Sequence, residues 1–226
     1  MDIQERTANQ TQTAVERQTG VLATNSVLRN TYLLLSLTLG FSAFTAWLSA
    51  ALNAPMMHWA IMLIGFYGLL FAIEKTKNSL VGLVLTFVFT GFLGYTLGPV
   101  LAIVSVAAPK ALALALGGTA AIFLSLSAYV LMTGKDMSRL GGFIFVGFWV
   151  LLISVIANLF LNIPALGLAI SAGFILFSSA VILYQTSEIV RGGETNYITA
   201  TVTLFVSLYN IFVSLLHLIL FFAGDD

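Results

Sequence analysis

The placement of charge constrains this chain more than any other feature. Eighteen Lys, Arg, Asp and Glu residues are spread so unevenly over 226 positions that five long windows carry none: Asn30–Ile73, Asn78–Pro109, Ala111–Gly134, Leu140–Ser187 and Thr195–Gly224. A bilayer with a hydrocarbon core of about 30 Å is crossed by roughly 20 apolar residues in a helix. Three of the windows hold one crossing each. The other two are long enough for two, and each is interrupted by an Asn-x-Pro turn signal, at Asn53-Ala54-Pro55 and at Asn162-Ile163-Pro164. The reading is an all-α, polytopic membrane bundle of seven transmembrane helices. With 59% hydrophobic and 8% charged residues, the chain is far from the roughly 25% charge of a soluble domain. The alternating pattern of a membrane barrel is absent, and in lipid every backbone polar group needs a partner within the chain.

Seven crossings sort the basic residues. Arg6, Arg17, Arg29, Lys75, Lys77, Lys135, Arg139 and Arg191 fall on one side, and Lys110 alone on the other. The excess of Lys and Arg marks the cytoplasmic side, so the N-terminus is expected in the cytoplasm and the C-terminus, Asp225-Asp226, outside. Residues 1–26, rich in Gln, Thr, Asn and Glu without apolar periodicity, are expected to form a disordered cytoplasmic tail, leaving residues 27–226 as the transmembrane domain. The polar lead-in and the apolar stretch that follows are both too long for a cleaved signal peptide. Zero formal net charge gives no global attraction to nucleic acid, and none is expected as a partner. With no cysteine, disulfides and thiolate ligands or nucleophiles are excluded.

Two spans carry small residues every fourth position: Thr86, Thr90, Gly94 and Gly98 in the third, and Ala113, Gly117, Ala121 and Ser125 in the fourth. Such seams let helix backbones approach closely where lipid supplies no hydrophobic drive between helices. Pro99 directly after Gly98 predicts a kink or break. Gly94, Gly98 and Pro99 are therefore candidates either for helix packing or for a hinge lining a pore.

The seventh span places Thr203, Ser207, Asn210, Ser214 and His217 on one helical face. The sixth places Ser171, Ser178 and Gln185 on another, with Glu188 three residues further on. Polar groups in hydrocarbon are costly unless partnered, so the two stripes are expected to face each other or a shared wet cavity. They could form an ion or proton path, or simply bond the helices together. His217 falls near the outer interface, where its titration range would suit a pH sensor. Glu188 and Arg191 are expected to pair, and Glu74 beside Lys75 and Lys77 reads as a solvated helix end. No HExxH or other metal-ligand cluster is present, the two histidines are far apart, and no carboxylate lies deep in a span. No catalytic, cofactor or metal site is expected, and the chain is not read as an enzyme.

Several blocks, in order, carry a resemblance: Leu28-Arg29-Asn30-Thr31-Tyr32; Thr90-Gly91-Phe92-Leu93-Gly94-Tyr95 with Gly98-Pro99; Lys135-Asp136-Met137-Ser138; Gly192-Gly193-Glu194-Thr195-Asn196-Tyr197-Ile198; and Ser207-Leu208-Tyr209-Asn210-Ile211-Phe212-Val213-Ser214. Together they resemble the bacterial branch of the transmembrane Bax-inhibitor-motif family over about residues 27–223. The resemblance implies a multi-pass bundle of the bacterial inner membrane. It would associate with FtsH, the membrane-anchored ATP- and zinc-dependent protease, and with the HflK and HflC partners of FtsH, and would restrain that protease. Other members of the family resemble calcium leak channels latched by two aspartates on the sixth and seventh helices. Aligned on the same blocks, this chain has Gln185 and Ser207 at those positions. Neither can titrate as a carboxylate pair does, which counts against calcium as a partner and leaves the leak channel for calcium or protons as the alternative to the protease regulator.

Overall fold

A computed structural model describes residues 3–223, with side chains from Ser26 onward. The tail expected over residues 1–26 lies, apart from Ser26, outside the residues whose side chains are described. Seven helices follow in order: α1 (Ile3–Ala51), α2 (Trp59–Thr76), α3 (Leu80–Ala107), α4 (Pro109–Thr133), α5 (Leu140–Leu161), α6 (Pro164–Arg191) and α7 (Tyr197–Ala223). All seven contain a stretch long and apolar enough to cross a membrane, that of α1 being Ser26–Ala51. The described chain is all-helical apart from its junctions.

Local chemistry sets the boundaries. Asn53 (φ 50°) and Asn162 (φ 49°) take the left-handed conformation, which Asn tolerates better than most residues. Asn162 thereby ends α5, its N–H donating to the Asn158 carbonyl, and Pro164 opens α6 two residues later. Pro109 opens α4 in the same way, because a first-turn residue needs no N–H partner. Gly134 (φ 60°) and Gly192 (φ 76°) close α4 and α6 as left-handed C-caps. At the start of α7, the Asn196 side-chain oxygen accepts from the N–H groups of Ile198 (2.9 Å) and Thr199 (3.1 Å), satisfying two otherwise orphaned donors.

α7 is the central helix, packed on α1, α3, α4 and α6. The core joins Phe89 and Leu93 of α3, Ile182 of α6 and Leu204, Phe205 and Ile211 of α7, all of them fully or almost fully buried. α2 covers α3 and α5 covers α6 from outside, and each buries a single residue, Ile73 and Leu151. The outward faces are Leu, Ile, Val, Phe and Trp, as on α5 with Phe145, Trp149 and Phe160. That is the surface hydrocarbon solvates and water does not.

The two small-residue seams behave differently. On α3, Thr86, Thr90, Gly94 and Gly98 are all buried, and α1 lies against them. A Cβ on Gly94 would run into the Ser42 carbonyl and the Ser42 and Thr45 hydroxyls; one on Gly98 would meet Ser49 and the Ala46 carbonyl at 2.7 Å. The α3 helix continues through Pro99 without a break, so the seam is a packing surface and the helix is not divided there. On α4, by contrast, Ala113, Gly117, Ala121 and Ser125 are exposed, correcting the expectation that they form a seam within the bundle. The buried face is Ala111, Ala115, Thr119, Phe123 and Ser127, offset from the expected one by half a turn. Small residues recur every four positions on both faces of α4, and in lipid hydropathy does not distinguish inside from outside.

Candidate functional site

The polar stripes of α6 and α7 lie on faces turned into the bundle, but few of their groups bond across the interface. Ser171, Ser178 and Gln185 of α6 and Ser207 and Ser214 of α7 are buried, Thr203, Asn210 and Glu188 half-buried, and His217 exposed. Ser171 Oγ lies 2.8 Å from His217 Nδ1 and donates to the Gly167 carbonyl at 3.1 Å. Ser207 bonds within its own helix, donating to the Thr203 carbonyl at 2.9 Å, the local pattern by which Ser and Thr satisfy themselves in apolar surroundings.

Other polar groups in the interior are unpaired. Among the described residues Ser178 Oγ, Gln185 Nε2, Thr186 Oγ1, Ser127 Oγ and Tyr32 Oη are buried without a hydrogen-bond partner in the chain. Tyr32 of α1 reaches α4, where its ring is 6.0 Å from Phe123, and Ser127 follows one turn later on the same face. These groups are neutral donors and acceptors. Leaving each one unpaired in a dry interior costs about 1–3 kcal/mol, which water could offset where it reaches them. No group of three or more His, Cys, Asp and Glu able to hold a metal occurs among the described residues.

The junctions at the end of the bundle where Ser26 enters are tied by contacts that the sequence stripes do not contain. The Ser187 hydroxyl accepts from the Met137 N–H (3.1 Å) and donates to the Lys135 carbonyl (3.2 Å). Arg191 pairs with Asp136 at 3.0 Å rather than with Glu188, correcting the expected i,i+3 pair. Gly192 turns the chain directly after Arg191 and the α4–α5 junction comes alongside. Hydrogen bonds from Ser138, backbone first and then side chain, and the nearby guanidinium hold the Asp136 carboxyl below the ordinary carboxylate range. Asn196 Nδ2 donates to the Lys77 carbonyl (3.1 Å) and to Asn78 Oδ1 (2.7 Å), clasping the α6–α7 junction to the α2–α3 junction. Glu74 and Lys77 form an exposed ion pair, and the bond to Glu74 is what chiefly raises the Lys77 pKa. Asn196 was legible as an N-cap, lying directly before a long apolar run; Ser187 and Asp136 had no comparable signal.

Fold and interior together define a polytopic helical membrane protein with a neutral polar core and a braced set of junctions. The chain belongs to the family described as inhibitor of apoptosis-promoting Bax1, whose model matches residues 24–224. It is 57% identical over 210 residues to a protein of Escherichia coli K12 named modulator of FtsH protease YccA, covering 92% of this chain and 95% of that one. A relative in Escherichia coli O6:H1, equally similar, is named inner membrane protein YccA. An uncharacterized protein of Pseudomonas aeruginosa is 54% identical over 205 residues, covering 89% of this chain and 92% of that one. The chain is a multi-pass protein of the bacterial inner membrane.

Proposed function

We propose that this protein is a regulator of an FtsH-type membrane protease, which it binds within the inner membrane and restrains. One observation carries the reading: identity of 57% along nearly the full length of both chains to a protein named as a modulator of that protease. Among the described residues the fully buried polar side chains are Ser, Thr and Gln, which accords with regulation by contact rather than by bond-making. The positive-inside asymmetry supports an N-terminus in the cytoplasm. Residues 1–26 would then lie on that side as the segment an ATP-driven protease engages, and HflK and HflC would accompany the protease.

The test is crosslinking in intact membranes followed by pull-down in mild detergent. Recovery of FtsH together with HflK and HflC, and slower degradation of a membrane substrate when the protein is in excess, are the expected results. Failure to recover the protease, or unchanged substrate turnover, overturns the reading. Removing residues 1–26 is expected to lengthen the lifetime of this protein without abolishing recovery of the protease.

A further inference from the structure

α6 and α7 cross the bundle in opposite directions, and their polar residues repeat at the same interval. Ser171, Ser178 and Gln185 follow one another every seven residues on α6, as Thr203, Asn210 and His217 do on α7. Seven residues make about two turns, or roughly 10.5 Å, so side chains that meet at one rung of an antiparallel pair come opposite again at the next. The contact of Ser171 Oγ with His217 Nδ1 at 2.8 Å fixes the outermost rung. Two turns further in, it brings Ser178 opposite Asn210. That middle rung coincides with the midpoints of α6 (Pro164–Arg191) and α7 (Tyr197–Ala223), about 20 Å from the ends of both helices. The outer rung is closed and the middle one is open. Ser178 is 1% exposed, and its Oγ has no hydrogen-bond partner among the described residues, Asn210 included. Ser171 and Ser207 each bond the carbonyl four residues back on their own helix, which is the usual local solution for a serine in apolar surroundings. Ser178 does not bond the carbonyl of Phe174, so its hydroxyl is left for something outside its own helix.

We propose that one bound water molecule bridges Ser178 Oγ to the Asn210 side chain and closes the middle rung. The chemistry of the two groups selects the occupant. A hydroxyl and a carboxamide are both neutral, and each can donate and accept. A cation placed between them would lack the charged ligand it needs at the centre of a membrane-crossing segment. An apolar group would leave the hydroxyl desolvated and unpaired. A water molecule both donates and accepts, satisfies buried polar groups of this kind, and bridges at little loss relative to a direct bond. Asn210 is half-buried rather than sealed, so its amide can take the water without giving up a bond that Ser178 makes. This inference rests on the packing of α6 against α7 and is independent of the protease reading.

The experiment uses the full-length protein in liposomes and exploits the absence of cysteine from the chain. Ser178→Cys introduces a single thiol, whose S–H stretch is followed by infrared spectroscopy after transfer to heavy water. Conversion to S–D is expected at least about tenfold faster than for Ala180→Cys, which puts a thiol at the same depth of the same helix, buried but outside the polar stripe. Adding Asn210→Leu removes the second ligand of the water and is expected to slow conversion at position 178 to the rate at position 180. A second measurement needs no thiol. Ser178→Ala is expected to lower the unfolding temperature in detergent by about 2–4 °C, the shift of a lost bond in a chain of this size, and to have no further effect once Asn210→Leu is present. Equal conversion at positions 178 and 180, or conversion at 178 that Asn210→Leu does not slow, overturns the proposal. An unchanged or raised unfolding temperature for Ser178→Ala also overturns it and assigns the rung to dry packing. Lost stability combined with slow conversion assigns a direct bond between Ser178 and Asn210 and overturns it as well.

Discussion

Ser171 Oγ and His217 Nδ1 lie 2.8 Å apart and join α6 to α7 near the ends of those helices furthest from Ser26. The same Ser171 hydroxyl also lies 3.1 Å from the Gly167 carbonyl, so it ties the imidazole of α7 to the backbone of α6. Ser171→Ala is expected to lower stability in detergent by about 0.6–1.7 kcal/mol, the range of interhelical hydrogen bonds in membranes. A double-mutant cycle with His217→Ala measures the coupling. A coupling near zero would show that the contact contributes nothing to holding α6 against α7.

The α3 seam makes a second, contrasting prediction. Gly94→Ala puts a methyl group where the Ser42 carbonyl already lies, and backbone cannot yield as a side-chain tip can. Overpacking of this kind costs typically 1–3 kcal/mol, and Gly98→Ala, against Ser49 and the Ala46 carbonyl, belongs in the same range. Gly117→Ala on α4 meets nothing within 4 Å. It should leave stability unchanged or raise it by up to about 1 kcal/mol, since alanine is the better helix former. Thermal unfolding of the three variants in one detergent checks the order.

Asp136 supplies a pH dependence whose sign is fixed. Its pKa is lowered in the folded state, by hydrogen bonds from Ser138 first and by Arg191 after them. A group with a depressed folded pKa contributes stability above its unfolded value, and that contribution is lost as pH falls through the folded one. The α4–α5 junction is therefore expected to loosen from α6 below the ordinary carboxylate range and to be unaffected between pH 5 and 8. Hydrogen exchange of residues 134–139 follows it, and Asp136→Asn should leave that exchange fast in the upper range and independent of acidification.

How far the fold could be read from the sequence follows from where charge and conformation leave marks. Charge spacing gave the seven crossings, and the two Asn-x-Pro breaks coincide with the two left-handed asparagines, Asn53 and Asn162. The α3 seam was legible because Gly94 and Gly98 stand where only glycine fits. The α4 seam was misplaced because Ala111–Ala115–Thr119 and Ala113–Gly117–Ala121 share one spacing, and only the neighbouring helices decide which faces inward. Long-range ties such as Ser187 to the Lys135 carbonyl have no periodicity to betray them. In the interior the polar residue types could be read, but not which of them lack partners.

Gln185 turns that last point into a measurement. It is buried, and its Nε2 has no partner within the described chain. Removing a buried donor that makes no bond costs nothing in lost bonding and abolishes a desolvation penalty. If the site is dry packing, Gln185→Leu should be neutral or stabilising by up to about 1 kcal/mol, and binding of the protease should persist. If water or a hydrated ion occupies the site, the same substitution removes one of its ligands and destabilises. Gln185→Asp separates the two further. A carboxylate at so buried a position favours its protonated form. That variant is expected to be less stable than wild type at pH 8 and to recover in acid. Calcium flux into liposomes provides the functional readout: with Gln185 and Ser207 in place it should match empty vesicles at both pH values, because neither side chain offers the charge a divalent cation requires in hydrocarbon.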